Sequence, residues 1–378
     1  MKVLFVVNEA GYFLSHRLPL AQQALARGAH VMVATAPDTG EDELAQYGIE
    51  HRAIPLSRSG FRLWSEVQTY RALLGLYREV RPDLVHHVTI KPVLYGTFAA
   101  RSSRITAVVN AIPGMGYIFT RHGARASIVR SGVNALYRLA LRHKNMRVIF
   151  QNKEDMAGFV GHAIVPRQQA VLIRGAGVDL EKFAKTAEPT GPPVFLLASR
   201  MLKDKGIVEF AHAAGRVRSQ HPDWRFLMAG RVDAGNPASL TEAQLHQLER
   251  DYRVEWLGQR NDMHTLLADV HVFVMPSYRE GLPKVLLEAA AAGRASIASD
   301  IAGCREVVTN EVTGLIVAAR DAVSLGDAML RLGRDAQLRL RLGDAAFEKA
   351  AAVFSEADVV NHTFRVYEAL LPSGRVGA

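Results

Sequence analysis

The chain has a single cysteine, Cys304, among its 378 residues. One thiol excludes an internal disulfide framework and a cysteine-based metal cluster, and it indicates a reducing, cytoplasmic compartment. No run of about 18 apolar residues occurs, so no transmembrane helix is predicted. Aromatic residues make up only 7% of the chain, and the basic stretch lacks the interleaved aromatic side chains on which nucleic-acid bases stack.

Several short motifs are also missing from the sequence. Neither Gly-x-Gly-x-x-Gly nor Gly-x-x-x-x-Gly-Lys-Ser/Thr occurs, which disfavours a nicotinamide enzyme and a P-loop NTPase. His-Glu-x-x-His and Gly-x-Ser-x-Gly are absent, and no two aspartates stand two positions apart. The sequence therefore predicts no metal site.

Positive charge is present in excess, and it is unevenly placed. The net charge is +9, and residues 1–190 carry 24 basic side chains against 14 acidic ones. No Asp or Glu occurs between Asp83 and Glu154. A field of one sign attracts an anionic partner, which is a lipid surface, a nucleic acid or a phosphorylated substrate.

A basic amphipathic helix is predicted inside this acid-free stretch, over residues 127–142. Its apolar positions follow helical spacing, and Arg130, Arg138 and Arg142 lie near one another around the axis. Such a helix is typical of a protein that lies on an anionic membrane. A helix packed on a sheet with solvated arginines would show the same pattern, so both interpretations stay open.

Short β-branched runs alternate with helical segments throughout the chain. This rhythm predicts an α/β fold with two Rossmann-like domains whose parallel sheets face each other across a cleft. The rhythm breaks around Thr186–Pro193 and then restarts. The predicted domains are residues 1–172, joined by a returning C-terminal helix over 358–378, and residues 173–357.

The most informative segment runs from Met275 to Ala291. A strand is predicted to end near Met275, and Gly281 and Pro283 suit a turn followed by the first turn of a helix over 282–292. The free N–H groups of such a helix start bind anions. Glu280 and Glu288 flank this start as acceptors for sugar or ribose hydroxyls, although each could be an ordinary surface or helix-face glutamate.

Two cations follow the first predicted strand of the second domain. Arg200 leaves that strand directly, and Lys205 precedes the next helix. Because parallel strands end at one sheet edge, both would project over the edge that carries Glu280. An arginine fork with a lysine point charge is a suitable clamp for a diphosphate. Two solvated loop cations are the alternative.

Together these residues resemble the family-4 retaining glycosyltransferases, which have a GT-B fold. The resemblance covers nearly the whole chain, and its first-domain motifs are similar to a bacterial branch that acts on polyprenyl-diphosphate-linked intermediates. The segments that carry it are Glu280-(seven residues)-Glu288, Arg200 with Lys205-Gly206, Gly177–Phe183, Asp300–Val308, Gly11 with His16-Arg17, Val88–Pro92 and Pro113–Tyr117.

The resemblance implies a donor site in the second domain. Arg200 and Lys205 would hold the diphosphate of a nucleotide sugar, Glu280 would bind the donor sugar, and Glu288 would bind the ribose. The backbone of Gly281 and Leu282 would touch the donor, and Gln259 and Arg260 would lie near the base, which the resemblance implies is uracil. Members of the fold usually need no metal or other cofactor. They react with retention, and the departing phosphate takes the acceptor's proton, so no protein nucleophile is expected.

The resemblance also implies an acceptor site in the first domain, where the positive field lies. The acceptor would be a polyprenyl-diphosphate-linked saccharide of O-antigen, capsule or glycan assembly, reached from the inner face of the cytoplasmic membrane. The first loop reads Glu9-Ala10-Gly11-Tyr12 where many relatives have paired glycines. His16 could equally be a structural residue at a helix N-terminus. The expected acceptor residues are Gly11, His16, Lys91, Gly114, Met115 and Gly116.

Three other functions compete with this hypothesis. A nucleotide-sugar epimerase of the same architecture would convert the donor without an acceptor. A basic nucleic-acid-binding module fits the charge but not the aromatic content. A non-catalytic membrane adaptor fits the basic helix but leaves the donor residues without a role.

Overall fold

A computed structural model describes residues 1–37, 40–56, 63–114 and 124–372. The chain divides into two compact units. The first holds residues 1–176 together with 359–378, and the second holds residues 177–358. Both are layered α/β units, as the alternating rhythm predicts.

The first unit is built on a seven-stranded, all-parallel sheet in the order β3-β2-β1-β4-β5-β6-β7. The chain leaves β1 in one direction to β2 and returns on its other side at β4, so the topological switch point lies between β1 and β4. The strands are β1 Lys2–Val6, β2 His30–Thr35, β3 Glu50–Ala53, β4 Leu84–Val88, β5 Ala107–Ile112, β6 Met146–Phe150 and β7 Ala170–Leu172.

Helices cover both faces of this sheet, which is why β1, β2, β4 and β5 are buried along nearly their whole length. A five-residue π-helix, Pro92–Gly96, stands between β4 and α5. The helices are α1 Ala10–His16, α2 Leu18–Ala26, α3 Glu41–Gln46, α4 Leu63–Val80, α5 Thr97–Ser102, α6 Ala124–Ala140 and α7 Lys153–Gly161.

The second unit contains a six-stranded parallel sheet in the order β10-β9-β8-β11-β12-β13. Its strands are β8 Val194–Ala198, β9 Arg225–Ala229, β10 Glu255–Trp256, β11 Val272–Met275, β12 Ala295–Ser299 and β13 Leu315–Val317. Its helices are α8 Ile207–Arg218, α9 Glu242–Tyr252, α10 Met263–Ala268, α11 Lys284–Ala291, α12 Ala302–Val307, α13 Ala322–Arg334 and α14 Ala336–Val353.

A last helix, α15 Glu356–Glu368, begins in the second unit and belongs to the first from Val359 onwards. Its apolar side chains join the core of the first unit. The Tyr367 hydroxyl lies 2.6 Å from Nδ1 of His86, which is fully buried on β4. Helix α15 is thereby fixed to the first sheet.

The structure corrects one local prediction, the position of His16 at a helix N-terminus. Two helices, α1 and α2, meet here, because Arg17 takes a non-helical conformation (φ −131°, ψ −9°) just before α2, where Pro19 occupies the first turn. His16 is therefore the last residue of α1, not a helix N-terminal residue. The break at Thr186–Pro193 lies inside the second unit, where the buried Arg294 guanidinium donates to the carbonyl of Ala187.

Candidate functional site

Two loops meet at the carboxyl edge of the second sheet, one after β8 and one after β11. Gly206, just before α8, has φ +73°, and a Cβ there would stand 2.2 Å from the carbonyl oxygen of Pro276. The Tyr278 N–H donates to the carbonyl of Asp204 over 2.9 Å. Glycine is required at position 206 both for its backbone angle and for this close approach.

This contact brings Lys205 to Glu280. Nζ of Lys205 donates to Oε1 of Glu280 over 2.6 Å, and the side chains are only 16% and 14% exposed. A charged pair this sheltered from water has strong, directional electrostatics. The cation and the acid predicted for the diphosphate and the donor sugar thus lie next to each other.

Arg200 lies on the same edge but has a different partner. Its Nη1 donates to Oδ2 of Asp233 over 2.8 Å, and Asp233 is buried while the arginine side chain is 44% exposed. The Asp233 N–H is bonded to Oγ of Ser239. Asp233 follows β9 after a short loop, and sequence reasoning missed it because one aspartate in a loop carries no motif.

Helix α11 starts at Lys284, two residues later than predicted. Pro283 is its N-cap in extended conformation and forms no side-chain cap. The first N–H groups of the helix are therefore not capped by the Pro283 side chain, and they lie just after Glu280. Glu288 is largely buried on α11, and its Oε1 lies 3.9 Å from Nζ of Lys284. Burial raises the pKa of Glu288, an effect that Lys284 and Lys182 oppose.

Helix α12 supports this loop from behind. A Cβ on Gly303 would stand 2.6 Å from the carbonyl oxygens of both Glu280 and Gly281. Cys304, the next residue, is fully buried, and burial together with Glu280 raises the pKa of its thiol. The thiol is therefore protonated and has a packing role, whereas Gly303 permits the loop and α12 to touch.

A tyrosine that sequence reasoning did not single out stands beside the two loops. The Tyr278 hydroxyl donates to Oε1 of Glu209 over 2.5 Å, and the guanidinium carbon of Arg320 lies 4.5 Å from the centre of the tyrosine ring. Burial, then the bond to Glu209, raises the Tyr278 pKa. These contacts hold the Met275–Glu280 connection to α8.

The remaining predicted donor residues differ in their surroundings. Leu282 is buried, whereas Gln259 and Arg260 are exposed in the loop after β10. This loop reaches the same sheet edge, since the Gly230 N–H donates to the carbonyl of Gly258. Arg260 forms a two-point ion pair with Asp262, which lowers the pKa of that carboxyl to about 2.

In the first unit, the predicted acceptor residues lie on different elements. Gly11 is exposed near the start of α1, and His16 ends that helix, stacked on Tyr12 and 2.7 Å from Oγ of Ser15. Lys91 follows β4, and its Nζ donates to Oε1 of Glu66 over 2.7 Å. Gly114 follows β5. Met115 and Gly116 lie outside the described residues.

The basic helix predicted over residues 127–142 corresponds to α6, Ala124–Ala140. Arg142 is exposed just after it, and the exposed Arg138 donates to the carbonyl of His162. Leu139 is 49% exposed between them. The Arg130 side chain lies outside the described part of the structure.

Among the residues that the structure describes, no group of three or more His, Cys, Asp or Glu side chains is arranged to hold a metal ion. Within the same residues, no helix combines the length and the apolar character needed to span a bilayer.

The two halves of the chain match two family models. Residues 2–152 match the model described as glycosyl transferase 4-like, and residues 178–349 match glycosyl transferases group 1. The matched ranges cover most of the first and second units.

Relatives match over most of the chain. A Campylobacter jejuni N,N'-diacetylbacillosaminyl-diphospho-undecaprenol alpha-1,3-N-acetylgalactosaminyltransferase is 26% identical over 98% of this chain and 99% of its own. An Escherichia coli UDP-Gal:alpha-D-GlcNAc-diphosphoundecaprenol alpha-1,3-galactosyltransferase is 27% identical over 73% of each chain.

A solved structure shows the same fold. Anabaena HepE, in complex with UDP and glucose, superposes with a TM-score of 0.79 over 98% of this chain and 100% of its own, at 19% identity. Family models, relatives and fold agree with the motifs that the sequence carries. The chain is therefore a glycosyltransferase of the GT-B fold, with a glycosyl transferase 4-like first half and a second half of the group 1 glycosyl transferases.

Proposed function

We propose that this enzyme transfers a sugar from a UDP-linked donor, with retention, to a saccharide carried on a polyprenyl diphosphate. One observation carries the donor half of the proposal: Lys205 and Glu280 pair at 2.6 Å at the carboxyl edge of the second sheet, just before the start of α11. The names of the Campylobacter and Escherichia coli relatives support a polyprenyl-linked acceptor.

The donor diphosphate is bound by Arg200, Lys205 and the first N–H groups of α11. Charge builds on this diphosphate as the sugar–phosphate bond breaks, and fixed cations and backbone dipoles stabilise that charge without reorganising. Glu280, with Lys205 drawn towards the phosphate, accepts hydrogen bonds from donor-sugar hydroxyls. Glu288 accepts those of the ribose, and Gln259 and Arg260 border the base. The backbone of Gly281 and Leu282 contacts the donor sugar and the phosphate.

No protein nucleophile is needed in this mechanism. The acceptor hydroxyl attacks the anomeric carbon on the face that the diphosphate leaves, and a phosphate oxygen takes its proton. A C–O bond to the acceptor forms, the C–O bond to the diphosphate breaks, and UDP is the second product. The reaction balances without a metal or another cofactor.

The acceptor belongs to the first unit, with Gly11, His16, Lys91 and the loop from Gly114 through Met115 and Gly116 as candidate contacts. Arg130, Arg138 and Arg142 on and after α6 contact an anionic membrane surface. From this contact we infer that the enzyme acts at the inner face of the cytoplasmic membrane, where a polyprenyl-linked substrate is accessible to a protein that binds the surface.

The test is acceptor-dependent release of UDP. Purified enzyme is incubated with a panel of UDP-sugars and a short-chain polyprenyl-diphosphate N-acetylhexosamine, and the new linkage is assigned by NMR. We expect UDP release only when both substrates are present, and an anomeric configuration equal to that of the donor. Inversion, or no transfer with any donor, would contradict the proposal. Conversion of the donor alone would indicate an epimerase, and none of the relatives described above carries that name.

A further inference from the structure

Four polar side chains lie at or near the carboxyl ends of β1 and β4, the neighbouring strands at the switch point of the first sheet. Val6 on β1 pairs with His87 on β4, and continuing this parallel register by two residues sets Asn8 beside Thr89. Lys91 follows two residues later and binds Glu66 of α4. Ligands of open parallel sheets bind at such an edge, beyond the carboxyl ends of the strands.

Three of these side chains have an oxygen that is buried and has no hydrogen-bond partner. They are Oδ1 of Asn8, Oε2 of Glu66 and Oγ1 of Thr89. The Glu66 carboxylate is also close to the Tyr95 hydroxyl, and burial followed by this carboxylate raises the Tyr95 pKa. A buried polar atom without a partner costs free energy, so such atoms are rare unless a ligand or a bound water completes them. One ligand at this sheet edge would complete the oxygens of Asn8 and Thr89 beside the Glu66 carboxylate.

The backbone at this point is also strained. Thr89 has φ +76°, a left-handed conformation that β-branched residues rarely adopt. The π-helix Pro92–Gly96 begins three residues later, and π-helical turns are frequent at functional sites. Strained residues persist only where the surrounding structure fixes them, and they concentrate where ligands are held.

A buried polar network fixes this strained turn. Nδ1 of His87 is 2.7 Å from Oδ1 of Asn110, and Oγ1 of Thr97 donates to the same oxygen over 3.1 Å. Burial lowers the His87 pKa to about 4, so the ring is neutral at neutral pH. A Cβ on Gly96 would stand 2.5 Å from the His87 ring, so the π-helix packs directly on this network.

The chemistry of the four groups selects the ligand. Asn8 Oδ1 and Glu66 Oε2 accept hydrogen bonds, and the Thr89 hydroxyl both donates and accepts. The charge of Lys91 is balanced by Glu66, and the carboxylate repels a phosphate. Neighbouring hydroxyl or amide N–H groups fit these partners, whereas an anion does not.

We propose that Asn8, Glu66, Thr89 and Lys91 form the subsite for the saccharide portion of the acceptor, and that the diphosphate of the acceptor binds elsewhere in the first unit. This inference rests on the proposed function. It assigns Lys91 to the saccharide of the acceptor and not to its diphosphate. The strained backbone at Thr89 fixes the position of the Thr89 hydroxyl in advance of sugar binding.

The variants Thr89→Gly and Glu66→Gln test the subsite. Glycine adopts the φ of Thr89 without strain, so the first variant removes the hydroxyl and keeps the turn. The second keeps the shape of Glu66 and removes its charge. Ser103→Ala is the matched control, since Oγ of Ser103 is also buried and without a partner but lies after α5, at the far end of β5.

Two acceptors separate the saccharide from the diphosphate: a short-chain polyprenyl-diphosphate N-acetylhexosamine and the matching alkyl N-acetylhexosaminide. We expect both variants to raise the acceptor KM about ten-fold with each acceptor, the size of one lost hydrogen bond in a buried site. The affinity for UDP should not change, and Ser103→Ala should match the wild type. An unchanged KM, an effect with the diphosphate acceptor only, or an equal effect of Ser103→Ala would overturn the proposal.

Binding of the alkyl glycoside is also measured directly by saturation-transfer NMR. If the wild type binds it and Thr89→Gly does not, the subsite stands even when no UDP-sugar supports transfer, and only the proposed function fails. If the wild type transfers sugar and Thr89→Gly retains full saccharide binding, the proposed function stands and the subsite is wrong.

Discussion

At the residue scale, Arg200 and Lys205, the two cations proposed to bind the donor diphosphate, are both held by carboxylates. Lys205 is paired with Glu280, and Arg200 with the buried Asp233. Fixing a flexible cation in advance reduces the side-chain entropy lost on binding. If Arg200 binds the donor as proposed, Asp233 is a positioning residue that acts through it.

The variant Asp233→Asn should weaken donor binding without unfolding the protein. We expect a donor KM about ten-fold higher, because the Arg200 guanidinium loses its charged partner and becomes mobile, with a smaller change in kcat. Steady-state kinetics at saturating acceptor concentration measure the donor KM and kcat separately. The control is Glu255→Gln, which disrupts the exposed Arg225–Glu255 pair at the other end of β9. Equal kinetic effects of the two variants would show that Asp233 has only a structural role.

Glu288 gives a pH prediction with a defined sign. Its folded-state pKa is raised by burial, so the native state holds the proton more tightly than the unfolded chain does. The carboxylate therefore lowers stability as pH rises through and above the ordinary glutamate range. Glu288→Gln should unfold at a higher temperature than the wild type at pH 7, and this gain should shrink towards pH 4.

The same substitution should weaken UDP binding about ten-fold, since a neutral amide is a poorer partner for ribose hydroxyls than a carboxylate. Thermal unfolding with and without UDP measures both effects in one experiment. A variant that is less stable at pH 7, or that binds UDP as tightly as the wild type, would contradict this account of Glu288.

At the element scale, the loop over residues 276–283, which is proposed to contact the donor, packs directly on α12. No side chain separates the two at Gly303. Gly303→Ala would place a methyl group 2.6 Å from two loop carbonyl oxygens. We expect a loss of about 1–3 kcal/mol in the free energy of unfolding, the usual cost of overpacking, and a clear loss of turnover. Denaturant titration and kinetics measure the two effects.

The control for this variant is Gly132→Ala in α6, where an added Cβ meets no atom within 4 Å. Alanine favours a helix more than glycine does, so this control should gain about 0.5–1 kcal/mol. If Gly303→Ala were as stable and as active as the wild type, the tight contact between α12 and the loop would not matter for function.

Sequence patterns predicted the elements best where burial dictates them. The strands of both sheets are recognisable because parallel strands are apolar on both faces, and α11 follows from Pro283. The break at Arg17 and the π-helix after Lys91 were not predictable, since tertiary contacts determine both. Asp233 was missed, and Gly303 and Thr89 were noted only as members of motif segments without a role of their own. The reason is the same, because the importance of each residue depends on its contacts with distant parts of the chain.

At the scale of the whole molecule, the positive excess belongs to the first 190 residues. Among the basic side chains that the structure describes, Arg138 and Arg142 lie at the end of α6, next to the exposed Leu139. A basic cluster with an exposed apolar side chain is suited to an anionic lipid surface.

Neutralising Arg138 and Arg142 to glutamine should reduce binding to vesicles that contain anionic phospholipid. Each charge contributes about 1 kcal/mol near such a surface, so we expect a decrease of roughly thirty-fold, which salt should diminish. Sedimentation with vesicles measures the effect. The control neutralises Arg216 and Arg250, two exposed arginines of the second unit. Equal losses in the two double variants would point to net charge rather than to α6.

The central claim is that Lys205 binds the donor diphosphate and is not merely the partner of Glu280. Removing the lysine alone would leave a sheltered carboxylate unpaired, at a cost of about 3 kcal/mol in stability. The decisive measurement is therefore the UDP affinity, by calorimetry, of the double variant Lys205→Met, Glu280→Gln, which removes both charges. We expect UDP to bind this double variant about a hundred-fold more weakly than the wild type, the effect of losing a charged phosphate contact. A dissociation constant equal to that of the wild type would contradict it.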